Sequence, residues 1–290
     1  MIDPELQPIV EAMLALSGPP PEDVPVDQAR AAHAAETAQL AGRGPDVAYV
    51  YDGELAGVPV RAYRPRDARG TVVYFHGGGW VVGNLESVDA VCRALALAAG
   101  ATVVSVDYRL APEHPYPAAL EDALGATRAL LTERPLAVAG DSAGGNLAAI
   151  VARHLKDDVA AQLLVYPVTD AGLNTPAYRQ FSEGFGLSAA GMRRFWELYL
   201  DGADGLQPDA SPLRAGDLRG LPPAYVLTAE CDVLRDDGEA YAHALRDAGV
   251  DVTLRRREGA VHGFWRWQTT EAAREAVRTA GEALRAVMDS

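Results

Sequence analysis

The six residues Gly140-Asp141-Ser142-Ala143-Gly144-Gly145 could present a serine hydroxyl as a nucleophile. They follow a strand-like run at 136–139 and open a helix-like one from 146 to 155. A Gly-x-Ser-x-Gly turn between strand and helix needs small neighbours, because larger side chains would collide around the tight turn. Alone, the pattern also fits a serine that merely turns the chain or caps a helix. Its partners decide, since a serine needs a base and the base needs an orienting acid.

The base is expected at His262, within Ala260-Val261-His262-Gly263-Phe264, just past the last strand-like run. The other histidines, at 33, 76, 114, 154 and 243, precede Ser142 or fall within predicted helices. For the acid, the stretch Glu230-Cys231-Asp232-Val233-Leu234-Arg235-Asp236-Asp237 offers four carboxylates after another strand-like run. Asp232 stands near the strand end, where a loop can project it towards the edge of the sheet, and Asp236 is the next choice. Asp236 and Asp237 have the character of helix-start residues, where acids meet free N–H groups and the positive end of the helix dipole. The chain order serine, acid, histidine is that of one convergent version of the triad.

A second chemical element is His76-Gly77-Gly78-Gly79-Trp80, directly after the apolar run 71–75. Three consecutive glycines are costly in chain entropy and imply a backbone that approaches something closely. A dinucleotide loop would need G-x-G-x-x-G opening a helix, and this spacing does not match. Backbone N–H donors for a developing oxyanion fit better; losing one such donor typically costs about 3 kcal/mol of barrier.

Positioning these groups requires strands that end together. Strands are expected at 47–51, 58–63, 71–75, 102–106, 136–139, 162–166, 224–228 and 252–256, and helices at 88–99, 118–131, 143–155, 239–248 and 270–287. Their alternation implies an α/β fold with a mostly parallel sheet and helices on both faces. Asp52-Gly53 is a hairpin signal, so the first two strands should run antiparallel. Residues 1–45 break the alternation with helices at 4–16 and 26–40 around a proline-rich break at 18–25. Residues 170–220 break it again, with a helix at 189–200. Both are expected to pack over the sheet ends as a cap, with the catalytic body spanning 46–290.

The composition is that of an ordinary globular chain of 290 residues, 49% hydrophobic and 23% charged. A net charge of −14 argues against a nucleic-acid partner. No apolar run reaches the roughly 18 residues of a membrane span, and no basic segment precedes an apolar one at the N-terminus; a cytoplasmic protein is the expectation. Cys92 and Cys231 form neither a disulfide framework nor a metal-binding pattern.

Taken together, the motifs resemble those of the hormone-sensitive-lipase-like esterases, family IV of the α/β-hydrolase fold. The resemblance rests on the H-G-G-G-W loop, Asp107-Tyr108-Arg109-Leu110-Ala111-Pro112-Glu113, the serine turn, Tyr166-Pro167-Val168-Thr169-Asp170, Asp232-Val233-Leu234-Arg235-Asp236 and His262-Gly263-Phe264, in the family's order over about 45–285. One departure is Val233, where the family usually has proline. The resemblance implies an eight-stranded sheet with a helical cap and a triad of Ser142, Asp232 and His262. It also implies an oxyanion hole formed by the N–H groups of Gly78, Gly79 and Ala143. It gives His76 a bracing role, and makes Asp107, Arg109 and Glu113 loop supports. It implies no metal or cofactor, a small ester of short to medium acyl chain as substrate, and a homodimer as an assembly common in the family. Trp80, Phe181, Phe185 and Leu187 are candidates for the substrate pocket. An amidase or peptidase, an acyltransferase and a non-catalytic binding protein of the same fold are the alternatives.

Overall fold

The strand-like runs pair into one eight-stranded sheet in the computed structural model, which describes residues 1–15 and 23–289. The strands are β1 (Tyr49–Leu55), β2 (Val58–Arg64), β3 (Thr71–Phe75), β4 (Thr102–Val106), β5 (Leu136–Asp141), β6 (Ala161–Val165), β7 (Ala224–Cys231) and β8 (Val252–Val261). They lie in the order β1-β2-β4-β3-β5-β6-β7-β8. β2 pairs antiparallel with β1 and β4, and all later pairings are parallel. Every residue of β3, β5 and β6 is buried, as continuous apolar runs covered on both faces should be. Among the covering helices, α3 (Asp89–Ala99) packs on α9 (Glu271–Met288). α4 (Ala118–Arg128) packs on α5 (Ala143–His154), which itself runs against β3, β5 and β6.

The first hairpin forms, but its turn lies elsewhere than expected. Asp52 and Gly53 sit inside β1, opposite Arg61 and Val60, and the chain turns at Ala56-Gly57, both with positive φ. Asp52 instead faces Arg61 across the strands at 2.6 Å. An aspartate-glycine pair marks a turn only where no cross-strand partner claims the carboxylate.

The remaining helices are α1 (Gln7–Ala15), α2 (Val26–Leu40), α6 (Pro176–Gln180), α7 (Ala189–Leu200) and α8 (Arg235–Asp247). Leu16, the last residue of the first expected helix, and most of the proline-rich break at 18–25 lie outside the described residues. α8 starts four residues earlier than the expected 239, so Asp236 and Asp237 occupy its first turn. α7 is capped by Ser188, whose Oγ accepts from Gly191 N–H at 3.0 Å. α2 buries none of its residues completely. Polar clasps hold it instead: Arg30 donates to the carbonyls of Val81 (2.9 Å) and Ala111 (3.1 Å) and to both oxygens of Glu113. Arg109 similarly grips Asp122 with Nε and Nη2. No helix among the described residues is long and apolar enough to cross a membrane.

Candidate active site

Ser142 stands between β5 and α5 with φ 56° and ψ −118°, a conformation that a residue with a side chain rarely adopts. The surroundings enforce it. Ser142 N–H donates to Val165 O at 2.9 Å, and its own carbonyl accepts from Asn146 and Val168. The turn works only because Gly144 lacks a side chain, since a Cβ there would sit inside the backbone carbonyls of Phe75 and His76. Backbone cannot swing aside as a side-chain tip can. Gly144→Ala is therefore expected to cost about 3 kcal/mol or more of stability. A chemical-denaturation midpoint equal to that of the wild type would contradict this close approach.

His262 follows β8 directly. Its Nε2 lies 3.0 Å from Ser142 Oγ, and its Nδ1 lies 2.7 Å from Asp232 Oδ2. The second oxygen of Asp232 accepts from Leu234 N–H at 2.9 Å, so both oxygens are engaged. The carboxylate is fully buried and the imidazole nearly so. The Tyr166 ring packs against the imidazole with centroids 4.5 Å apart. Residues 90 and 120 positions from Ser142 thus join it in one run of contacts because β5, β7 and β8 run parallel in one sheet and end at the same edge.

The four carboxylates of 230–237 separate by partner. Glu230 accepts from Gly259 N–H at 2.7 Å, bracing the approach to His262. Asp236 accepts from Ala177 N–H at 2.8 Å and pairs with Arg235 at 2.9 Å. Asp237 is buried, and burial together with the charges of Asp170, Asp232 and Asp236 pushes its pKa up to about 8. Between its unfolded value near 4 and this raised value, the native state keeps a proton that the unfolded chain releases. The group's contribution is complete below pH about 4 and is lost as pH rises through about 8. Asp237→Asn is expected to remove that component, gaining on the wild type as pH rises, and urea midpoints from pH 5 to 9 measure it. Parallel curves for the two proteins would contradict the assignment.

The glycine loop after β3 is held from beneath. Asp141 Oδ1 accepts from Gly77 N–H at 3.0 Å and from Tyr74 Oη at 2.7 Å. Burial raises the Asp141 pKa despite these bonds. The His76 ring stacks on Tyr108 at 4.3 Å, and its Nδ1 lies 2.7 Å from Gly77 O. Burial drives its pKa down to about 4, so it is neutral at physiological pH with the Nδ1 proton donated to that carbonyl. Gly79 has φ 59°, and the Phe195 ring lies where its Cβ would be. Among the described residues, the Gly78 and Gly79 N–H groups meet no acceptor. Ala143, as the first residue of α5, has no intrahelical one.

Ser142 and His262 open into a cavity of about 180 Å³. Its apolar wall comes from Met13 of α1, Met192 and Phe195 of α7, Val82 and Leu187. Its polar wall includes His33 and Glu36 of α2, with Arg266. Of the four residues expected in the pocket, only Leu187 is in this lining. Trp80 is fully buried and stacked on Tyr199 at 4.1 Å, and Phe181 meets Phe185 edge-on at 5.2 Å with Arg235 over its face. Those rings pack α6, α7 and their loops onto the body. Met13, Met192, Phe195, Glu36 and Arg266 had no motif to mark them; helix periodicity alone could have flagged Met13. Among the described residues, no group of three or more His, Cys, Asp or Glu could hold a metal ion.

The alpha/beta hydrolase fold family matches residues 72–266. A carboxylesterase of Mycobacterium tuberculosis, NlhH, is 45% identical over 233 residues, covering 74% of this chain and 73% of its own. An ethyl acetate hydrolase of Pseudomonas putida is 39% identical over 264 residues, covering 83% of each chain. Among solved structures, a thermostable esterase from Pseudomonas putida superimposes with a TM-score of 0.91 at 36% identity, covering 99% of this chain and 98% of its own.

Proposed function

This chain belongs to the α/β-hydrolase fold family, in its hormone-sensitive-lipase-like group of carboxylesterases, and we propose that it cleaves short- to medium-chain esters through an acyl-enzyme on Ser142. The observation that carries this reading is the run of contacts from Ser142 Oγ to His262 Nε2 (3.0 Å) and from His262 Nδ1 to Asp232 Oδ2 (2.7 Å).

His262 Nε2 takes the Ser142 proton as Oγ attacks the ester carbonyl carbon. The carbonyl electron pair moves onto oxygen, and the N–H groups of Gly78, Gly79 and Ala143 receive that oxyanion at the positive end of α5. The tetrahedral species collapses as His262 returns its proton to the departing alcohol oxygen, leaving the acyl group on Ser142. Water, deprotonated by His262, then attacks the acyl carbon, and the bond to Ser142 Oγ breaks as His262 returns that proton to Oγ and the acid leaves. Asp232 stays ionised throughout; it holds the imidazole tautomer and stabilises the imidazolium. The N-terminal helices and residues 170–220 act as a cap, because Met13, Leu187, Met192 and Phe195 wall the cavity.

Trapping tests the reading. A fluorophosphonate probe is expected to label Ser142, found by mass spectrometry of the digested protein; labelling at another residue would sink the mechanism. Acyl length tests the cap. A chain that outgrows the cavity must push Met13, Leu187 or Met192 aside, at a cost of about 1–3 kcal/mol, or roughly 10- to 100-fold. We expect kcat/KM for an aryl butanoate to exceed that for the palmitate by about that factor, and a peak at palmitate would refute the proposed role of the cap.

A further inference from the structure

The polar wall of the reaction cavity has no part in the steps above. Arg266 belongs to the short turn Phe264–Arg266 just after His262, and its side chain is 11% exposed. It lines the same cavity as Ser142, with Glu36 opposite on α2. Glu36 Oε1 accepts from Arg266 Nη2 at 3.0 Å and from Trp267 Nε1 at 2.9 Å. A guanidinium carries five N–H donors in a planar fork. Among the described residues, Glu36 is the only hydrogen-bond acceptor that the Arg266 side chain meets, through Nη2, and Nε and Nη1 meet none. Arg266 lines the cavity, so a substrate that enters can supply an acceptor to its remaining donors.

We propose that Arg266 is a specificity-determining residue. It donates to a neutral oxygen acceptor, an ether or carbonyl oxygen, carried by the substrate in addition to the reacting ester. The inference rests on the esterase reading above. Charge selects a neutral group over a carboxylate. Glu36 already balances the guanidinium, so a second carboxylate would bring an unpaired negative charge against largely buried side chains. His33, on the same wall, has its pKa pushed down to about 2 by burial and by the charge of Arg266, and therefore offers no compensating cation. An alkyl chain of the same shape would fit the cavity but offer those donors no acceptor.

The experiment compares kcat/KM within pairs that differ by one oxygen for one methylene. Butyl acetate against methoxyethyl acetate places the oxygen on the alcohol side; methyl pentanoate against methyl methoxypropanoate places it on the acyl side. Each rate is divided by that of base hydrolysis, which removes intrinsic reactivity. The wild type is expected to favour the oxygen-bearing member of at least one pair by about 10- to 100-fold, the worth of a charge-assisted hydrogen bond. Arg266→Met should bring that ratio towards one, and Arg266→Lys should leave part of it. Glu36→Gln should keep the ratio and raise activity on monomethyl succinate, because the guanidinium then lacks a counter-charge.

If Arg266 serves only as a strut to α2, Arg266→Met and Glu36→Gln will lower all esters alike and leave every ratio unchanged, which overturns the proposal. Where Arg266→Met fails to fold, Glu36→Gln/Arg266→Met removes both charges together and supplies the same ratio. The wild-type ratios stand apart from any variant: no preference for oxygen in either pair also overturns it. A wild type that hydrolyses none of these esters and takes no fluorophosphonate would instead bring down the esterase reading itself.

Discussion

Ser142→Ala is expected to lower kcat/KM for an aryl ester by about 10⁵- to 10⁶-fold, while the unfolding midpoint stays close to that of the wild type. The size of the loss follows from removing the atom proposed to bond covalently to the acyl carbon. His262 would remain beside Asp232, and the free N–H groups would still polarise a bound ester, so a small residual rate above the solution reaction should persist. Stability should be nearly unaffected. The backbone at 142 is held by Val165, Asn146 and Val168, while among the described residues the hydroxyl has only His262 as partner. Residual esterase activity above a hundredth of the wild-type rate, in a preparation free of contaminating enzyme, would disprove the assignment of the nucleophile.

Asp232→Asn and Asp236→Asn, made side by side, should differ by about a thousandfold in turnover. In Asp232→Asn, the side-chain oxygen is held in place by Leu234 N–H, as it is now at 2.9 Å. The new amide N–H group then faces His262 Nδ1. The imidazole must accept that hydrogen bond, which moves its own proton to Nε2, against Ser142 Oγ. A protonated Nε2 cannot take the serine proton, and the expected loss is about 10⁴-fold in kcat. Asp236 serves a different purpose, anchoring the start of α6 through Ala177 N–H and holding Arg235. Its replacement by asparagine keeps an acceptor for Ala177, so turnover should fall by about tenfold at most. Steady-state kinetics on one ester decides; equal losses would mean that the acid had been misplaced.

The meeting of Ser142, His262 and Asp232 was legible in the sequence because each of them lies in a local motif. Gly140 to Gly145 describe one strand-to-helix turn, and His76 to Trp80 describe one loop. Asp232 and His262 each come directly after a strand, where β7 and β8 stop. The eight strands and most helices were legible for the same reason, since periodicity and β-branched runs are short-range signals. Where a local signal had two readings, the structure chose: Asp52-Gly53 proved to be strand, because Arg61 across the sheet holds the carboxylate.

The pocket was not legible. Trp80, Phe181 and Phe185 looked suited to bind an acyl chain, yet each found an aromatic or cationic neighbour and packed against it. The cavity is walled instead by Met13, Leu187, Met192 and Phe195, and the polar contact between Glu36 and Arg266 spans 230 positions of the chain. Such walls depend on where α1, α2 and α7 come to rest on the sheet ends, which no local pattern encodes.

By itself, then, the sequence determined the fold class and the residues suited to serine chemistry, because turn sterics and strand order are written in neighbouring residues. Only the tertiary structure decided which carboxylate meets His262, how the glycine loop is braced by Asp141, and which side chains wall the cavity. Those outcomes depend on distances between segments far apart in the chain, and packing alone sets such distances.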